Sequence, residues 1–375
     1  MAPRDRVRSC AGGLGTLSHT HRATRKGDGV SRNLVAVVSS VLFVMLAVAI
    51  VLTPVPFVTW RPGQTVDVLS STSDGPLIEI SGLPTSSSGG TLLMTTVSTS
   101  RVDSSVSLPE ALIAHLVEDS DALPRDVVYP AGKSNEEVQS EAVAMMDTSR
   151  VNATVAALRA AGQAVTAMPM VSGVVLSGPS HGVLEPGDLI EAIDNEDVSK
   201  AEAVRDAVRR RNVGDPIVFR VIRGGEVTNV TVTAVAGADG AASVGITTSI
   251  GYRYAPTVNY RIDPDIVGPS AGLVFALAVY DRISDGVLTE GSVVAGTGAI
   301  DAAGKVSAIG GVREKIKGAE KAGAKVFLLP RTNCADLGGL RTSLRLIPVS
   351  TLKDAIAALQ MLEEGKPNEE VPTCE

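Results

Sequence analysis

Aromatic residues make up only 3% of the chain, with a single tryptophan, and histidine (four) and cysteine (three) are as scarce. The cores must therefore be built from Val, Leu, Ile and Ala. Beyond residue 33 the only histidines are His115 and His181, one in a predicted helix and one in a predicted turn. Neither has an Asp and a Ser in a recognisable arrangement, which excludes a Ser-His-Asp triad. H-E-x-x-H and paired C-x-x-C spacings are also missing, so neither a metal nor another cofactor is expected. Basic residues are outnumbered, 34 against 41, for a net charge of −7. That balance argues against a nucleic-acid partner. Apolar residues are plentiful: 44% of 375 residues excludes a disordered chain and suggests two or three domains.

The charge is unevenly spread. Residues 1–33 hold seven Arg or Lys and two Asp, leaving 27 basic against 39 acidic residues in the remainder. Between the two lies Leu34–Leu52, uncharged, with Ser39 and Ser40 as its only polar residues. Nineteen residues at ~1.5 Å each match the ~30 Å hydrocarbon core of a bilayer. Pro54 and Pro56 stop the helix, and Trp60 and Arg61 follow it. The excess of positive charge before the helix places residues 1–33 in the cytoplasm and the rest outside. A cleaved signal peptide is the competing reading. Its one A-x-A match, Ala47-Val48-Ala49, lies inside an apolar run longer than such leaders use, which favours an uncleaved anchor. The first 29 residues read as unstructured. Cys10 would be cytoplasmic. Cys334 and Cys374 would share an oxidising space, where either a disulfide tying down the tail or two free thiols is open, the bridge being favoured.

Outside the membrane, Thr65–Leu69, Pro76–Ile80 and Thr91–Val97 read as short strands parted by Ser/Gly clusters such as Thr85–Gly90. Helices are expected over Leu108–Val117 and Asn135–Ala161, the second capped by Ser134. From Met168 to Ala236, strands alternate with tight turns around one helix at Lys200–Arg211. The centre of this stretch is Leu184-Glu185-Pro186-Gly187-Asp188-Leu189-Ile190.

The chemistry concentrates in residues 244–362. Gly268-Pro269-Ser270-Ala271-Gly272 leads into the apolar run Leu273–Val279. Ser270 thus sits at the positive end of a buried helix, beside unpaired N–H groups suited to an oxyanion. An N-cap serine fits the same place. A second segment shifts the balance. On a wheel starting at Val312, residues Ile316, Ala319, Ala322 and Gly323 form one apolar arc. Arg313, Glu314, Lys317, Glu320 and Lys321 lie opposite, but Lys315 falls inside the arc. A buried lysine persists as a neutral amine, which next to a serine hydroxyl is a general base. A lysine at the edge of the arc could equally snorkel to solvent.

At this point two family resemblances appear. The L-x-P-G-D-x-I segment and its surroundings resemble a bacterial PDZ domain, which binds an extended peptide as an added strand. Its carboxylate loop is expected near Met170–Gly173. Gly268-Pro269-Ser270-Ala271-Gly272, Gly296-Thr297-Gly298-Ala299-Ile300, Gly304-Lys305-Val306 and Ile309-Gly310-Gly311-Val312-Arg313-Glu314-Lys315 resemble the proteolytic domain of the Lon family. That resemblance implies Ser270 as nucleophile, Lys315 as general base and Thr297 positioning the amine, with the Ser270–Ala271 backbone in the oxyanion hole. It departs in lacking the ATPase motif G-x-x-x-x-G-K-(S/T), so ATP-independent action is expected. Asp265 stands nearest before the serine motif, with no role assigned.

The whole order is similar to the YlbL-type membrane-anchored proteases of Gram-positive bacteria. The expected class is α+β: a single transmembrane helix, a PDZ domain and a Lon-like α/β catalytic domain. The expected segments are a basic tail (1–33), a helix crossing the lipid bilayer (34–53), a β/α segment (57–165), the PDZ domain (167–237), the catalytic domain (243–362) and a tail (363–375). The β/α segment would belong to the protease fold, with the PDZ domain inserted. Polypeptide substrates are the expected partners, and the resemblance alone implies a homo-oligomer. The rival reading is a non-catalytic PDZ scaffold on a degenerate protease shell.

Overall fold

The computed structural model describes residues 28–86, 89–100, 106–117, 120–129, 132–284, 288–289, 291–365 and 371–374. The expectations for Cys10 and for most of the basic tail fall outside the described residues. The chain divides into Met1–Pro54 with Ser107–Pro109, and Val55–Val106 with Glu110–Glu375.

The first unit contains the helix Asp28–Leu52. Its stretch Arg32–Leu52, 21 residues, is long and apolar enough to cross a membrane, and none of it is buried against protein. The helix stops where Pro54 removes a backbone donor.

The second unit is built on two sheets. The first runs in the order Arg345–Val349, Val326–Pro330, Val293–Gly296, Thr91–Thr99, Phe57–Asp67, Asp121–Pro124. Its first four strands are parallel and its last two pairings antiparallel. Strands from residues 57–124 therefore share one sheet with strands from 293–349.

Alternation along these strands feeds two cores. Leu92, Met94, Val294, Leu328 and Ile347 face the helices Gly272–Ile283 and Leu352–Glu363. Leu93, Ala295, Phe327 and Leu329 face the helix Val312–Lys321 on the other side. Val326–Pro330 is buried along its whole length, as a central parallel strand covered on both faces must be. Pro348 is tolerated because its strand is at the edge. Helix Gly272–Ile283 is apolar on nearly every side and lies between the sheet and the long helix Asn135–Ala160. A capping box formed by Ser134 and Glu137 starts that long helix.

The second sheet has the order Glu226–Thr233, Pro216–Arg223, Leu189–Ile193, Thr166–Val174, Ile246–Arg253, antiparallel throughout. Helix Ala201–Arg209 packs its Val204, Ala207 and Val208 into a separate core. Sequence reading placed residues from 243 onward with the catalytic domain. Ile246–Arg253 instead pairs with Thr166–Val174 along eight residues. Its run of Thr247, Thr248 and Ser249 gave no local sign of which sheet would claim it.

At the other end, helix Leu352–Glu363 runs one residue into the expected tail. Beyond it, Val371 is buried and Cys374 is joined to Cys334 by a disulfide, with Cα atoms 5.5 Å apart.

Candidate active site

Three elements converge at the carboxyl end of the strand Val293–Gly296, where open parallel sheets usually place their sites. Thr297 follows that strand directly and is fully buried, its N–H donating to the Leu328 carbonyl at 3.0 Å. From one layer comes the 3-10 turn Pro269–Ala271, which opens helix Gly272–Ile283 and carries Ser270. From the opposite layer, the first turn of helix Val312–Lys321 presents Lys315, only 3% exposed.

The Thr297 hydroxyl links the two layers. It donates to the Ser270 carbonyl at 3.1 Å and accepts from Lys315 Nζ at 3.3 Å. The Ser270 carbonyl takes a second bond from Gly298 N–H at 2.8 Å. The Ser270 turn is pinned from behind as well. Ser149 Oγ, on the long helix, donates to the Pro269 carbonyl at 3.1 Å, and Gly268 N–H donates to the Ala142 carbonyl at 3.0 Å. Gly268 has φ +98°, a conformation that a side chain would strain.

Burial pushes the Lys315 ammonium down to a pKa of about 7, against a smaller opposing pull from the Glu314 carboxylate. Near neutrality a large share of the amine is therefore free of its proton. Glu314 itself is buried and its pKa is raised, chiefly by desolvation. The helical wheel had put it on the solvent side. Helix Val312–Lys321 packs against strand Phe57–Asp67 as well, a neighbour that a wheel drawn for the helix alone leaves out.

Ser270, Ala271, Lys315 and Asp265 line one cleft of about 860 Å³ together with Trp60 and Thr95–Thr99. Asp265 is exposed there. Sequence reading noted Trp60 only as following the apolar run. Its ring instead lies against Gly310 and Gly311, so close that a Cβ at Gly310 would come within 2.8 Å of it. The glycine pair is thus needed for this wall of the cleft, and the Gly-Gly motif was the only available hint. His115 and His181 are both exposed and neither lines the cleft.

A second concavity, about 470 Å³, lies between helix Ala201–Arg209 and the segment Ser243–Ile246. Val204 and Val208 form its floor, Arg205 and Arg209 its rim. Gly245 at φ +69° turns the chain into strand Ile246–Arg253. Among the described residues, the other edge of that strand has no strand partner. The carboxylate loop expected near Met170–Gly173 is not there: that stretch is an interior strand, paired on both sides. Ser243–Ile246 has the features such a loop needs, a left-handed glycine opening into an edge strand beside a helix.

Comparison with known proteins matches residues 264–361 to the Lon protease (S16) C-terminal proteolytic domain. Residues 144–234 match a PDZ domain, although 144–160 lie in the long helix of the first sheet unit. Lon protease 1 of Sorangium cellulosum is 43% identical over 94 residues, 24% of this chain and 11% of that protein. Lon protease 1 of Herpetosiphon aurantiacus is 47% identical over 70 residues, 19% of this chain and 8% of that protein. Lon protease of Trichlorobacter lovleyi is 30% identical over 166 residues, 36% of this chain and 20% of that protein. The chain thus spans at most a fifth of the length of these three relatives.

Proposed function

We propose that this chain, which carries a Lon-type proteolytic domain and a PDZ domain behind an N-terminal apolar helix, is an ATP-independent, membrane-anchored serine endopeptidase. One observation carries the reading. A lysine buried to 3% exposure is hydrogen-bonded to a threonine that also holds the backbone of Ser270, in the turn that opens a buried helix. Nothing in packing alone calls for an amine at that point, and desolvating it is costly.

In the proposed mechanism the neutral Lys315 amine takes the Ser270 Oγ proton as the oxygen attacks the scissile carbonyl. The first-turn N–H groups of Ser270 and Ala271, which have no intrahelical acceptor, receive the developing oxyanion. The resulting ammonium hands its proton to the departing amine. Water then attacks the acyl-enzyme with Lys315 again as base, restoring Ser270.

The chain has no G-x-x-x-x-G-K-(S/T) motif with which to drive unfolding by ATP. Substrates would therefore arrive already extended. The groove between helix Ala201–Arg209 and Ile246–Arg253 would hold a polypeptide terminus as an added strand, its carboxylate on the Ser243–Ile246 turn. The Arg32–Leu52 helix would cross the bilayer once, with the basic residues before it cytoplasmic and the peptidase outside.

The full-length chain in detergent micelles, incubated with unfolded casein, tests this reading. Cleavage unchanged by ATP, and abolished by Ser270→Ala and by Lys315→Ala, is expected. Equal behaviour of the parent and both variants would overturn it.

A further inference from the structure

Ile309 stands just before the glycine pair, in a stretch that belongs to no strand, and lines the cleft. Its half-buried backbone N–H and C=O therefore lack a ladder neighbour, and such groups are costly to leave unpaired. One side chain takes that neighbour's place. Ile309 N–H donates to Asn333 Oδ1 at 3.0 Å, and Asn333 Nδ2 donates to the Ile309 carbonyl at 2.9 Å. The same nitrogen also donates to Asp336 Oδ2 at 2.7 Å. Asn333 is 2% exposed and is the buried residue of the 3-10 turn Arg331–Leu337.

This turn holds the glycine pair from its other side too. The carbonyl of Gly338, the residue after the turn, accepts from Arg313 Nη1 at 2.7 Å, in the first turn of helix Val312–Lys321. Cys334, next to Asn333, is bonded to Cys374, in the segment beyond helix Leu352–Glu363. Gly310 and Gly311 have no side chains with which to lock their own backbone, so the lock has to come from outside. What they position is Lys315, whose N–H donates to the Gly311 carbonyl at 3.1 Å. The Lys315 Nζ bond to Thr297, at 3.3 Å, is already long. A displacement of about half an ångström would break it.

We propose that Asn333, braced by the Cys334–Cys374 bridge, is a positioning residue that holds Lys315 against Thr297 through Ile309–Gly311, an inference that rests on the peptidase reading above. Packing alone would be served by an apolar side chain at so buried a place. The amide adds the two bonds that fix where the glycine pair begins.

The test measures kcat/KM of the full-length chain in detergent micelles on unfolded casein, as a function of pH. Asn333→Ala should lower it about 10- to 100-fold. The double variant Cys334→Ser with Cys374→Ser, which keeps Asn333, should lower it about three- to tenfold. In both, the pH at which the rate levels off should rise from about 7 by about one unit or more, because a displaced amine regains water. Neither variant adds a charge, and both leave Glu314, beside the amine, and Asp265, in the same cleft, in place. A merely structural asparagine would reduce the folded fraction and scale the profile without moving it, and that result would overturn the proposal. Should Asn333→Ala fail to fold, the double variant decides: parental rate and an unmoved profile would overturn it. Normal behaviour of the double variant beside a shifted Asn333→Ala would strike the bridge from the proposal. Lys315→Ala separates the two readings. If it abolishes cleavage while Asn333→Ala cleaves like the parent, only this proposal fails. If the parent does not cleave, the peptidase reading fails and takes this one with it.

Discussion

The two sheets of the second unit handle polar groups in opposite ways. In the first, Thr297 and Lys315 are withdrawn from water and bonded to one another across two helix layers. In the second, the groove keeps its arginines wet on the rim and offers backbone along an unpaired strand edge. The first arrangement spends stability to alter a proton affinity. The second leaves an open strand edge that could give direction to an added strand. On the proposed reading, catalysis and capture would make different demands on burial and would be kept on separate sheets.

Lys315→Met should sharpen the contrast most. Cleavage of an unfolded substrate should fall by about 10³-fold or more, measured as kcat/KM. Peptide binding in the groove, followed by fluorescence anisotropy, should not change. The same variant should be more stable at pH 7, by about 4 kcal/mol in urea unfolding. The sign follows from linkage. The folded-state pKa, about 7, lies below the ordinary 10.5. The unfolded chain therefore binds more protons between those values, and parent stability rises with pH across that window. Methionine removes that dependence.

In the parent enzyme, kcat/KM should rise with pH through about 7 and level off above it, as the amine loses its proton. Groove affinity should stay flat over the same range. A bell centred well below 6 would break the assignment of base.

Smaller effects separate neighbours within each region. Thr297→Val removes the hydroxyl that joins Lys315 to the serine turn and should cost about 10- to 100-fold in kcat, with KM little changed. Gly245→Val places a β-branched side chain at φ +69°, 3.3 Å from Pro179, and should weaken peptide binding about tenfold. Hydrolysis of a short peptide that does not use the groove should be untouched.

Much of the candidate site could be read from local pattern. A serine between Gly-Pro and an apolar helix left a nucleophile and an N-cap both open, and one lysine inside an apolar arc left a buried amine and a snorkelling one both open. Thr297 was reached only through family resemblance, because a lone threonine after a strand has no periodic signature. The part Trp60 plays in the cleft and the burial of Glu314 were missed for a shared reason. Both are set by strand Phe57–Asp67, whose partner Thr91–Thr99 is hydrogen-bonded to Val293–Gly296, some two hundred residues further on. The expected strand Thr65–Leu69 caught only the end of it. The carboxylate loop was expected on what is an interior strand because Ile246–Arg253 joins its sheet across roughly seventy residues of chain.

By itself, then, the sequence determined which segments are apolar, where helices start and which residue types stand ready for acyl transfer, because these depend on neighbours three or four positions away. Only the tertiary structure decided which strand completes which sheet, which charges lose their water and which strand edge stays open. Those outcomes depend on hydrogen-bond edges and layers supplied by distant parts of the chain, and a strand's own residues do not record which edge it will meet.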